Sequence, residues 1–332
     1  MTLPREIRDS ALQRLKGTYK SSSGLLLPQV ERHVMKTATG GRPDDHSSKH
    51  MHPSDMAKTD WCGRHDYYAI TGAPVGKVSK ANPSFRMSNV FSEGHAIHAK
   101  WQQWFWEMGV LVGWWHCMSC GHQWYAMSPA ECQFCQSLRL EYKEYPLRHN
   151  NFMVEGHADA AVHLPEDKAL VEIKSIGLGT LRFEAPRLYQ QYLDGKPAED
   201  IWFSISHPFG SHMRQGQLYL WMAWPAYERI IFVYESKFTQ ATKEFVVDYN
   251  KSFIAPVLET AKDVAQGIRA GIAPDRPIWA KAPGDKVCSS CVYRSTCWEL
   301  EENHAEVEAP APARVQRSKL GKRRATLRAT AV

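Results

Sequence analysis

The stretch Gly156-His-Ala-Asp159-Ala-Ala-Val-His-Leu164, a polar turn, then Ala169-Leu-Val-Glu172-Ile-Lys174 decides the fold. It reads as the heart of a β-hairpin running from Phe152 to Ser175 and turning at Pro165 to Lys168. In that register Asp159 lies opposite Lys174, and Ala161 lies opposite Glu172. Side chains alternate along a strand, so Asp159, Glu172 and Lys174 share one face. The other face collects Ala160, Val162, Leu164, Ala169, Val171 and Ile173, all apolar. One face is therefore suited to a core, and the other carries two acids and a lysine.

That polar face has the parts phosphodiester hydrolysis needs. Asp159 and Glu172 supply hard oxygen ligands for Mg²⁺ or Mn²⁺, and such a cation polarises a phosphate and acidifies water. Lys174 can orient that water and offset the negative charge that builds in the transition state. The plainer reading is an exposed hairpin with a Glu-Lys face and a chance Asp nearby. Glu-x-Lys spacing is common on surface strands, so the triplet alone leaves both readings open.

Working outward, Ser92–Met108 reads as a helix capped by Ser92 and stopped by Gly109, and it contains Gly94-His95-Ala-Ile-His98. Downstream, Ser211 to Ala223 reads as a second helix. On it Gln215 and Tyr219 stand at i and i+4, with His212 one turn before Gln215, so all three project from one side. Glu228 to Glu235 reads as a buried strand. Asn250 to Ala270 reads as a helix that Pro256 either kinks or begins. Gly72 to Lys77 (GAPVGK) is a decoy for a phosphate-binding loop: its glycines are too close together, and Val78 stands where magnesium binding needs Ser or Thr.

Taken in order, G-x-x-x-H, G-x-x-D, E-x-K and H-x-x-Q-x-x-x-Y resemble the RecB-like branch of the PD-(D/E)xK nuclease superfamily. The likeness is to the CRISPR-associated "Cas four" exonucleases and related phage exonucleases. The resemblance implies a restriction-endonuclease-like α/β core, with a mixed sheet flanked by helices. It implies that His98 joins Asp159 and Glu172 at a Mg²⁺ or Mn²⁺ ion, with Lys174 as the catalytic lysine. It further implies that Gln215, Tyr219 and Lys237 place the DNA strand. The expected activity is exonucleolytic cleavage of single-stranded DNA or DNA ends in recombination, repair or replication. An endonuclease on the same core and a catalytically silent DNA-end-binding module are the alternatives.

The eight cysteines divide into two sets of four. Cys117-x2-Cys120 and Cys132-x2-Cys135 read as a Cys₄ zinc ribbon, a small insertion over residues 113–140 with a structural role. The remaining four are Cys62 and the cluster Cys288-x2-Cys291-x5-Cys297. One cysteine ahead of the core and three after it resemble the iron–sulfur signature of the same nuclease branch, which implies a [4Fe–4S] cluster clipping the two ends of the domain together. A second zinc site, or Cys62 as an ordinary buried thiol, competes with that reading. Trp101 and Trp104 are expected to pack their helix on the core. Trp114 and Trp115, beside the first knuckle, are the better candidates for stacking on DNA bases.

With 332 residues, 43% hydrophobic, the chain can bury a sizeable core. No apolar run is long enough to span a membrane, and no signal-like segment is evident, so the expected compartment is the cytoplasm, a host's if the gene is phage-borne. The reducing cytoplasm also favours metal binding over disulfides for the cysteines. The net charge of +6 sits in the tail: Ala309 to Val332 has seven basic residues and no acidic ones, and without them 34 basic face 35 acidic, a net of −1. That tail is either a solvated end or an arm that binds nucleic acid without sequence preference. The expected organisation is a helical, flexible segment at 1–50, a nuclease domain at 51–302 and a basic tail at 303–332. DNA is the expected partner, with a helicase or recombination protein beside it, because no motor signature is present.

Overall fold

A computed structural model describes residues 26–39, 49–76 and 84–299; the basic tail, most of the segment before Met51 and Lys77 of the decoy loop lie outside the described residues. The described chain opens with helices α1 (Leu27–Thr39), α2 (Pro53–Met56), α3 (Gly63–Thr71) and the long α4 (Phe85–Glu107). Strands β1 (Leu111–Cys117), β2 (Gln123–Met127), β3 (Leu140–Lys143), β4 (Tyr145–His149), β5 (Val154–Ala158), β6 (Ala160–Leu164) and β7 (Asp167–Ile176) follow. Short helices α5 (Leu178–Glu184), α6 (Pro186–Leu193) and α7 (Ala198–Phe203) lead to α8 (Gly210–Ala223). Strands β8 (Arg229–Ser236) and β9 (Thr242–Asp248) and helices α9 (Lys251–Ala270) and α10 (Arg294–Trp298) complete it.

The fold is α/β, with a central mixed sheet flanked by helices. Seven strands form that sheet in the order β2-β1-β6-β7-β8-β9, with β3 also paired to β1. Strands β7 and β8 run parallel, and the other pairs in it run antiparallel. A parallel step needs a crossover, which α5 through α8 provide. Helix α8 packs Leu220 and Tyr219 with Ala161, Leu170 and Phe232 on one face of the sheet. Helix α4 packs Ile97, Trp101 and Phe105 with Val171, Ile173 and Val233 on the other. Both faces are thus covered, as strands flanking a parallel step require. A third core joins α3 and α9 to the back of α8 through Tyr67, Val264 and Leu218.

The decisive stretch forms its strands with two corrections. The turn is only Pro165-Glu166, and Asp167 and Lys168 belong to β7, so Ala160 pairs with Val171 and Leu164 with Asp167. Asp167 is drawn into the strand by an ion pair with Arg229 on the neighbouring β8. The register moves by two residues, an even shift, so each side chain keeps its expected face. The first arm is also not one strand. It breaks at Asp159, leaving β5 in a separate two-stranded sheet with β4 and β6 in the main sheet.

Helix α4 begins earlier than Ser92. Ser84 caps it by accepting from the Met87 N–H at 3.3 Å, and Gly109 ends it at φ 78°. Ser92 sits inside the helix, because nothing between Phe85 and Phe91 interrupts it. Helix α9 likewise runs through Pro256, capped by the Asn250 side chain on the Ser252 N–H. Gly72 of the decoy loop is the left-handed C-cap of α3.

The segment with four cysteines is woven into the sheet. Strand β1 pairs with β2 on one side, and on the other with β6 at Leu111 and Val112 and with β3 further along. Its alternation leaves Trp114 42% exposed and Trp115 1% exposed. Trp115 packs against Trp106 and Tyr142, so it is core and not a surface for bases. Trp101 is partly buried as expected, whereas Trp104 on the next turn is 43% exposed.

Candidate active site

Asp159 occupies the break between β5 and β6 and is 7% exposed. There its side chain turns back on its own hairpin, and Oδ2 accepts the Ile173 N–H at 2.6 Å. Oδ1 faces His98 Nδ1 at 3.3 Å. One turn after His98, Gln102 donates to the Asp159 carbonyl at 2.8 Å, so a single face of α4 grips the break at two points. The strand break is thereby held by both a strand and a helix.

Glu172 and Lys174 follow on β7. Glu172 is 2% exposed; its Oε1 takes the Lys174 ammonium at 2.6 Å, while Oε2 is buried with no hydrogen-bond partner among the described residues. Burial and the adjacent Asp159 charge push the Glu172 carboxyl up to about 7, against the pull of Lys174. Burial works against the Lys174 ammonium, but Glu172 and Asp159 outweigh it and raise its pKa, which keeps it cationic. His98 behaves in the same way: burial lowers it, and Asp159 and Glu172 raise it further than burial takes away.

Helix α8 closes the other side. Gln215 Oε1 accepts from Lys174 at 3.2 Å, and Gln215 Nε2 donates to the Tyr219 hydroxyl at 2.9 Å. The expected i, i+4 pair is therefore buried and turned onto the lysine. His212, one turn earlier, faces elsewhere. The Tyr234 hydroxyl accepts the Phe209 N–H at 2.8 Å and shares a hydrogen bond with His212 Nδ1 at 2.5 Å. Gly156, of G-x-x-D, has a steric reason to be glycine: a Cβ there would sit 2.9 Å from Pro53 Cδ and 3.2 Å from the Tyr219 ring.

Asp159, Glu172, Lys174, Gln215 and Tyr219 line one cavity of about 300 Å³, together with Glu144 and the His52–Ser54 segment. Lys237 does not line it. Its ammonium is tied to Glu93 and the Val90 carbonyl on α4, where it braces the start of that helix. Glu144 escapes sequence reading because it belongs to no motif. Among the described residues, its carboxylate, His98 and Asp159 form one of two groups whose possible ligand atoms lie within 4.8 Å of one another.

The residues fit a divalent cation. Two carboxylates and an imidazole converge, one buried carboxylate oxygen is unsatisfied, and a lone lysine faces both acids. The second group within 4.8 Å is Cys117, Cys120, Cys132 and Cys135. Cys117 and Cys135 Sγ are 3.6 Å apart and Cys120 and Cys132 Sγ 3.7 Å. A tetrahedron of Zn–S bonds has edges of about 3.8 Å. Burial opposes ionisation of Cys117, but the N–H groups of Cys120 and Ser119 point at its sulfur and lower it to about 6. These four cysteines could hold a metal ion.

Cys62, Cys288, Cys291 and Cys297 meet as well, although 226 residues separate the first two in sequence. They line a second cavity of about 300 Å³ with Trp61, Tyr68 and Trp298. Their sulfurs do not close to the separation seen in the ribbon. Cys62 caps α3, and burial pushes its thiol up to about 11, with Cys291 and Cys297 adding to the rise.

The chain matches no protein-family profile and no curated protein in sequence. Among solved structures it is similar to the crystal structure of SSO0001 at 13% identity and TM-score 0.34, covering 82% of this chain and 96% of that one. It is also similar to an alkaline exonuclease, LHK-Exo, from Laribacter hongkongensis, at 12% identity and TM-score 0.35 over 72% of this chain and 93% of that one. LHK-Exo in complex with dAMP gives 12% identity and TM-score 0.35 over 68% and 89%. Likenesses this remote do not bear on what the chain does. Among the described residues no helix is long and apolar enough to cross a membrane.

Proposed function

We propose that the chain is a Mg²⁺- or Mn²⁺-dependent deoxyribonuclease of the PD-(D/E)xK type, acting as an exonuclease on single-stranded DNA or DNA ends. The observation that carries this is the convergence of Asp159, Glu172 and Lys174 in one cavity, with His98 set against Asp159 and Glu172 Oε2 buried with no partner among the described residues. Asp159, Glu172 and His98 would hold the cation, which supplies Lewis acidity toward the scissile phosphate and its attacking water. The Ile173 N–H on Oδ2 fixes the orientation of the Asp159 carboxylate. Lys174 stays protonated, and its ammonium offsets charge on the phosphate as the bond breaks. Gln215, anchored by Tyr219, gives that ammonium a second contact besides Glu172. In this reading both act on DNA through the lysine.

The ribbon cysteines would hold Zn²⁺, and Cys62, Cys288, Cys291 and Cys297 a [4Fe–4S] cluster. Two features support the second assignment: the thiols line a cavity instead of closing to a tetrahedron, and Arg64 beside Cys297 supplies positive charge. The test of the nuclease reading is degradation of labelled DNA with Mn²⁺, compared between wild type and Lys174→Ala. Loss in the variant supports it, and DNA binding without cutting by wild type under any divalent metal replaces it with a binding module.

A further inference from the structure

We propose that Glu144 is a ligand of the divalent cation, delivered to the site by the strand that leaves the four-cysteine ribbon. The proposal rests on the metal-dependent reading above and adds a ligand that none of its motifs contains.

The chain passes between the main sheet and the small sheet twice. It leaves the main sheet between β3 and β4, and it returns between β5 and β6. The residue at the first crossing is Glu144 and at the second Asp159. The crossings lie side by side because Tyr145, directly after Glu144, pairs with Ala158, directly before Asp159. On the other flank the Tyr142 hydroxyl donates to the Val112 carbonyl and receives the Ala161 N–H, two residues past Asp159. Gly113 leaves room for that ring: a Cβ there would meet Tyr142 Cε2 at 2.8 Å. Backbone pairing on one side and a seated tyrosine on the other thus fix the two acids together. His98 from α4 completes the trio, with ligand atoms of all three within 4.8 Å.

A cluster of acids alone does not make a metal site. Here the same cavity also contains Glu172, whose Oε2 is buried and has no partner among the described residues, so Lys174 on Oε1 leaves part of the carboxylate charge unmatched. Strand β3 begins five residues after Cys135 and pairs its first residue, Leu140, with Cys117, and Glu144 directly follows its last residue, so one short strand links the ribbon's cysteines to Glu144. The ribbon then has a use beyond stability: it sets the position of a ligand.

The test is titration of the full-length, metal-replete protein with Mn²⁺, read by the electron paramagnetic resonance signal of the unbound ion. Wild type is compared with Glu144→Gln and with Glu141→Gln, an exposed acid on the strand just before Glu144 that pairs with Lys143. Circular dichroism checks that both variants keep the wild-type fold, as expected for exposed positions. The expected result is a loss of Mn²⁺ affinity of at least about tenfold in Glu144→Gln, with Glu141→Gln unchanged. Equal affinity in Glu144→Gln and wild type overturns the role of Glu144 and leaves the nuclease reading intact. Absence of Mn²⁺ binding by wild type itself overturns the metal-dependent reading, and this proposal with it.

Discussion

Replacing Trp101 by Phe keeps an aromatic ring on α4 and removes one hydrogen bond. Glu235 on β8 is 2% exposed, and its two oxygens are held by Lys100 at 2.5 Å and by the Trp101 indole N–H at 2.7 Å. The variant leaves Oε2 buried and unpaired, while Lys100 still balances the charge. A hydrogen bond to a charged group contributes about 1.5–3 kcal/mol. With an unfolding entropy of about 2.1 cal/mol/K per residue, each kcal/mol moves Tm by roughly 1.5–2 °C in a chain of this size, so the expected drop is about 2–6 °C. Trp101 lies one turn beyond His98, so loosening this clamp also loosens the imaidazole's hold on Asp159 and weakens Mn²⁺ binding. Thermal denaturation followed by circular dichroism measures the first effect, and Mn²⁺ titration the second. A Tm within about 1 °C of wild type would show that the Trp101–Glu235 contact does not hold α4 to the sheet.

Three further outcomes follow from the same geometry. Burial, with Lys174 nearby, lowers His212 to about 2 against an ordinary value of 6.5. The unfolded chain therefore takes up that proton first, and stability falls as pH drops below about 6.5, by up to roughly 1.4 kcal/mol per pH unit; His212→Gln should flatten this acid limb in melts at stepped pH, and an unchanged slope would refute it. Cys132→Ser, at a buried ribbon position, should cost the protein its zinc by elemental analysis and shift the fluorescence of buried Trp115; zinc retained at the wild-type level would rule out the Cys₄ site. Protein purified without oxygen should contain iron and acid-labile sulfide in equal amounts, both lost in Cys62→Ser, and zinc in their place would reverse the assignment.

Much of the site was legible because a strand's period forgives an even error. The turn is two residues shorter than its sequence suggests, yet Glu172 and Lys174 keep their face because the register moves by two, and Asp159 meets them from the break between β5 and β6. The helix pair Gln215 and Tyr219 was legible for a similar local reason, the turn of α8. What distant chain segments decide was harder to read. Lys237 follows a buried strand, as expected of a substrate contact, but Glu93 on α4 captures it. Trp114 and Trp115 look alike in sequence, and only the pairing of β1 with β2, β3 and β6 separates the exposed ring from the buried one. Glu144 carries no local signal, because its neighbour Asp159 is brought to it by the pairing of β4 with β5.

The most direct test of the central claim is digestion of end-labelled single-stranded DNA with Mn²⁺ or Mg²⁺, using anaerobically purified wild type and Lys174→Ala. The account predicts degradation by wild type and a fall of about 100-fold or more in the variant. Undiminished cutting by Lys174→Ala would contradict the assignment of the site, and wild type that binds the DNA yet leaves it whole would contradict the enzyme.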